Sequence, residues 1–196
     1  TGPDRVPSNS SNPDNAPPAL ASFAQITVAA DDDIRITGDL KYEDPPCTGV
    51  PVRNSDGTVT PATCDNLGAL NVLGVYTQSG EILIGNNNGS SSLNAPNNVT
   101  VHGVLMTSTG AVQVEDFRNG GARGAVNLMG GIIENYYGAF GTFNSSNGNQ
   151  VSGYDRKFTY DQRMSLGIEP PYFPTVTNDG VRDVIVFSYG QREQIY

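Results

Sequence analysis

The chain is expected to be all-β: a parallel β-solenoid (β-helix) of about four to five coils with a C-terminal cap. Two observations lead there. Apolar residues alternate in short runs, the period of a strand with one buried face. These runs also recur around Gly38, Gly74, Gly103 and Gly130. Two residues before these glycines stand Ile36, Val72, Val101 and Leu128, and four before stand Ile34, Leu70, Val99 and Val126. Two after stand Leu40, Tyr76, Leu105 and Ile132. Between the apolar columns runs a mixed one, Arg35, Asn71, Thr100 and Asn127, assigned to the outward face. A second strand follows: Gly80-Glu-Ile-Leu-Ile84 matches Gly110-Ala-Val-Gln-Val114 and, more loosely, Gly138-Ala-Phe-Gly-Thr142. One such coil cannot bury its own apolar face, so neighbours must stack. An antiparallel β-sandwich also has short strands and regular turns, but it gives no reason for columns that match between copies. The prediction sets Val72, Val101 and Leu128 in one interior row.

Taken in order, residues 1–22 are a linker rich in Pro, Ser and Asn, including Pro3, Pro7, Pro13, Pro17 and Pro18. Such a segment is expected to be extended or disordered, its second half lying along the body. Residues 23–149 hold the rungs, with Phe23, Ile26 and Val28 as a first partial one. A loop at 41–66 carries both cysteines, Cys47 and Cys64, in Pro- and Thr-rich sequence around the turn Ser55-Asp-Gly57. Two cysteines this local predict a disulfide, worth about 3 kcal/mol by loop closure, and an oxidising compartment. Two polar loops, 86–92 and 118–124, are expected to project between rungs. Residues 150–196 form the cap and a final strand: a short helical turn near Asp161 to Met164, the Pro170-Pro-Tyr-Phe-Pro174 run that no central strand tolerates, and an apolar strand from Val181 to Ser188.

Composition narrows the function. Net charge is −9, which argues against a general grip on nucleic-acid phosphates and against anionic membranes. No apolar run is long enough to span a bilayer, so no direct membrane contact is expected of this segment. The chain opens at Thr1 with no initiator Met and no signal peptide, and is read as a mature or truncated form.

Three stretches resemble the C-terminal region of the solenoid-bearing, pilin-like proteins of Deinococcus–Thermus bacteria, the group of the competence-associated minor pilins. They are Gly130-Gly-Ile-Ile-Glu-Asn-Tyr-Tyr-Gly-Ala-Phe-Gly-Thr-Phe143, Gly153-Tyr-Asp-Arg-Lys-Phe-Thr-Tyr-Asp-Gln-Arg163 and Pro170-Pro-Tyr-Phe-Pro-Thr175. The resemblance spans roughly residues 99–175. It implies an extracellular or periplasmic module of a type IV pilus or other cell-surface assembly, with roles in adhesion or natural competence and other surface proteins as partners. The family's N-terminal hydrophobic pilin helix has no counterpart in this sequence.

No catalytic residue, cofactor or metal site is assigned. His102, the single histidine, is placed on an outward column; a Ser-His-Asp triad would have to use it, and no Gly-x-Ser-x-Gly elbow is present. One histidine without a Cys-x-x-Cys pair does not make a zinc site. Asp31, Asp32 and Asp33 invite a calcium reading, but the spacing lacks the calcium-loop pattern and a distal Glu, so a solvated turn is preferred. The alternative function is a carbohydrate-active β-helix, a polysaccharide hydrolase or lyase, which needs carboxylates on adjacent rungs. Asp39 aligns with Val75, Val104 and Gly131, so no acidic ladder forms. Candidate partner-binding residues are Arg118, Arg123, Arg156, Lys157 and Arg163, through which DNA would be held; pairing with Asp116, Asp155 and Asp161 is the competing use of these cations.

Overall fold

A computed structural model describes residues 2–7, 10–85, 94–174, 177–178 and 181–182. Strands dominate. Five of them, β1 (Gln25–Ala30), β5 (Val72–Thr77), β7 (Thr100–Thr107), β9 (Ala122–Ile133) and β11 (Gln150–Tyr160), run parallel in that order in a six-stranded sheet. Strand β10 (Gly141–Phe143) closes its far edge antiparallel to β11. A smaller parallel sheet holds β2 (Ile34–Ile36), β6 (Ile82–Ile84) and β8 (Val112–Val114). Two antiparallel hairpins complete the set: β3 (Val52–Arg53) with β4 (Val59–Thr60), and β12 (Thr177–Asn178) with β13 (Val181–Arg182). One apolar cluster joins the two parallel sheets. Ile36, Ile82, Ile84, Val112 and Val114 come from the small sheet; Val75, Val101, Leu105, Val126 and Leu128 come from the large one.

The β-solenoid of four to five coils is therefore corrected to mixed sheets of six, three and two strands, in which β10, β3 and β12 pair antiparallel with their partners. The reason is that alternation marks a strand but not its neighbour. Ile34 and Ile36 fit the columns of Leu70 and Val72, yet they pair with Ile82 and Ile84 in the small sheet. The partner of β5 is β1, whose Ile26 and Val28 are exposed. Leu70, expected inside, is exposed as well.

The interior row is half correct. Val101 pairs with Leu128 and both are buried, but β5 sets Gly74 against Val104, so Val72 falls out of that row. The recurring glycines turn out to have different causes. Gly103 and Gly130 are register partners with φ of 153° and 154°, and a Cβ on Gly130 would lie 1.8 Å from the Gly103 carbonyl oxygen. Gly74 instead makes room for Phe173 and Pro170, each 2.7 Å from where its Cβ would be.

The two terminal segments also differ from expectation. The supposed linker is docked over more than its second half, which lies along the body as expected with Ala16 and Leu20 buried; in its first half Arg5 is buried against Asp39. Asp39, aligned with Val75, Val104 and Gly131, is 1% exposed. At the other end, residues 150–160 are a sheet strand rather than a cap. The expected turn follows as a 3-10 helix, Gln162–Leu166, capped by the Asp161 carboxylate and closed by Gly167. The predicted strand from Val181 lies, beyond residue 182, outside the described residues, as does the loop at 86–92.

Candidate functional site

The outer face of β7, β9 and β11 forms the floor of a cleft. In-register pairing sets Thr100 beside Asn127 and Asn127 beside Lys157. Two residues further on, His102 lies beside Met129 and Met129 beside Thr159. Period two brings both rows to one face. The cysteine loop, with Pro45, Cys47 and Val50, makes one wall, and Asp14 on the docked N-terminal segment helps make another. The cleft, open on one side, has a volume of about 290 Å³.

Each wall is held by identifiable bonds. Cys47 and Cys64 form the predicted disulfide, sulfurs 2.11 Å apart. Next to it Thr48 and Thr63 exchange backbone hydrogen bonds of 2.8 and 3.0 Å. The Lys41 ammonium donates to the carbonyls of Pro13 (3.1 Å) and Ala16 (3.0 Å), so its charge is used in fastening the N-terminal wall. The Lys157 ammonium has no such partner among the described residues.

His102 is not the surface histidine expected. Its Nδ1 accepts the Tyr42 backbone N–H at 2.9 Å, and its ring meets the Tyr42 ring edge-on at 5.2 Å. With Nδ1 accepting, the neutral ring carries its proton on Nε2. Burial, reinforced by the cations of Lys41 and Arg163, lowers its pKa to about 3. The nitrogen that a triad's carboxylate would orient is thus taken by a backbone amide.

The five candidate cations do not act together. Arg163 is fully buried and bonded to Asp161. Arg123 donates from Nε to the Tyr154 hydroxyl at 2.9 Å and from a terminal nitrogen to the Ala95 carbonyl. These two serve folding. Arg156 stacks 4.9 Å from the centroid of the exposed Tyr137 ring. Arg118 is exposed over Phe117, and Lys157 lines the cleft. The aspartates at 31–33 are turn acceptors: Asp33 takes the Glu81 N–H at 2.9 Å, and Asp31 takes the Ser79 hydroxyl at 3.3 Å. Among the described residues no cluster of three or more His, Cys, Asp or Glu side chains is arranged to hold a metal.

Part of the floor was visible in the sequence, since Thr100 and Asn127 stand in one outward column. Thr159 and the walls were missed. They come from the segments read as cap, loop and linker, and only docking brings them together.

Compared with family models, curated proteins and solved structures, the chain matches none. Among the described residues no helix is long and apolar enough to cross a membrane.

Proposed function

We propose that the protein is a non-enzymatic recognition domain outside the cytoplasm, part of a type IV pilus-like or other cell-surface assembly. The observation that carries this reading is the Cys47–Cys64 bond, which fixes one wall of the cleft. Bonds of this kind persist in oxidising compartments. Recognition is favoured over chemistry by the cleft's make-up. Asp14 is the single carboxylate among its described lining residues, whereas glycoside hydrolysis by the common route uses two. The exposed Tyr136 and Tyr137, beside Arg156, offer a second contact surface for other surface proteins. DNA is a weaker candidate, because two of the five cations, Arg123 and Arg163, are spent in the fold's own bonding.

The test is made on intact cells that express the protein. A membrane-impermeant amine reagent is expected to label it before lysis. Non-reducing peptide mapping is expected to recover residues 47 and 64 joined. Labelling that appears only after lysis, with both thiols free, overturns the location. Salt-sensitive DNA binding lost on Arg118→Gln would identify DNA as the partner.

A further inference from the structure

The geometry points to the cleft on β7, β9 and β11 as a binding site for an anionic saccharide, one hexuronic-acid unit of a longer chain filling it. This deepens the recognition reading above and rests on it. The floor is a grid of three strands by two rows. With strands about 4.8 Å apart and alternate residues about 6.6 Å apart, it measures roughly 10 by 7 Å, the footprint of one pyranose ring with its substituents. The volume, about 290 Å³, agrees with one sugar unit rather than a larger ligand.

The chemistry of the floor selects the sugar. Lys157 brings an ammonium that has no partner among the described residues. A carboxylate is its natural complement, through a charge-assisted bond. Lys41 and Lys157 stand against the one carboxylate of Asp14, so the site matches one negative charge, and Lys41 is already committed to two carbonyls. The Asn127 amide and the Thr100 and Thr159 hydroxyls donate and accept, as ring hydroxyls require. His102 adds an Nε2–H donor, its Nδ1 being occupied by Tyr42. Asp14 accepts from hydroxyls at the rim. Met129, at the centre of the second row, supplies the apolar surface on which a ring's C–H face packs. A bare inorganic anion would leave these hydroxyl and amide groups unused. A neutral sugar would leave the ammonium unmatched.

Calorimetric titrations of the whole chain would compare a galacturonic acid oligomer, the neutral galactose oligomer of equal length, and acetate. The acidic oligomer is expected to bind saturably. The neutral oligomer and acetate should each bind at least about tenfold more weakly, the size of one lost charge-assisted bond or more. Lys157→Gln and Asn127→Ala should each weaken the acidic oligomer by about tenfold or more with unchanged melting temperature, while Arg118→Gln leaves it unaltered. Equal binding of the neutral oligomer, equal binding of acetate, wild-type affinity in Lys157→Gln, or no saturable binding each overturn the site. The same samples are checked for shortened oligomers. Cleavage with binding intact would overturn the non-enzymatic reading and leave the site standing; absence of binding would do the reverse.

Discussion

The N-terminal segment and the turn that follows β11 are each fastened to the body by a buried arginine, but in different ways. At the N-terminal end, Arg5 donates to Asp39 at 2.8 and 3.0 Å and to the carbonyls of Ser10, Asn97 and Asn98. Its acid is 34 residues away, on the body, where Asp39 also accepts the Thr100 N–H at 2.8 Å. In the turn after β11, Arg163 pairs with Asp161, two residues before it, and reaches the body through the carbonyls of Ala69 and Asn71 at 2.7 and 3.0 Å and over the Tyr42 ring. This turn thus brings its own counter-ion and arrives as a neutral unit. The N-terminal segment arrives as a cation, and docking itself makes the pair. A buried charge stripped of its partner is costly in either case. The two clamps differ in what stays behind on the body when the arginine is lost: backbone carbonyls at one end, a carboxylate at the other.

The largest effect should follow from Arg163→Ala. It strands Asp161, itself 3% exposed, and is expected to cost about 3–5 kcal/mol in urea unfolding. Arg163→Leu combined with Asp161→Asn should recover most of that, since the amide keeps the cap on the Gln162–Leu166 turn while both charges are gone. If the double variant is as unstable as the single one, charge pairing is not what holds this end.

Arg5→Ala should cost less, about 2–3 kcal/mol, because Asp39 keeps the Thr100 N–H. The loss is expected to be local. In hydrogen exchange, amides of residues 5–16 should lose protection while those of β7 and β9 keep theirs. Uniform loss across the sheet would mean that the N-terminal segment belongs to the same cooperative unit, and the contrast between the two ends would fail.

At neutral pH the smallest effect is that of His102, which shows as a pH dependence; its ring meets Tyr42 edge-on, and Arg163 lies 5.7 Å from the centroid of that same tyrosine ring. The folded pKa is about 3, below the unfolded value of 6.5. The unfolded chain therefore takes up the proton first as pH falls. The stability this histidine contributes is complete above about pH 6.5 and is lost progressively towards pH 3. Melting curves of His102→Gln should be flatter across that window than those of the wild type. Parallel curves would show that the ring is not excluded from protonation in the folded state.

Features decided within a few residues of chain were legible in the sequence. Alternation located β5, β7, β8 and β9, and two cysteines in one turn-rich loop announced their bond. The 3-10 turn after Asp161 was visible for the same reason, because its cap is two residues from what it caps. Strand partners were legible only in part: Val101 with Leu128 and Ile82 with Val112 pair as their columns align, but the first strands do not. Ile34 pairs with Ile82 and β1 with β5 because of which apolar faces meet across the core, and alternation is blind to that choice. The inward course of Arg5, Asp39 and Arg163 was not legible. A charged side chain reads as solvent-exposed until its partners are known, and apart from Asp161 beside Arg163 and Ser10 beside Arg5 these partners lie 34 to 94 residues away. The cleft belongs to the same class. Its floor alternates within single strands, but its walls exist only because the docked N-terminal segment and the disulfide loop converge over β7, β9 and β11.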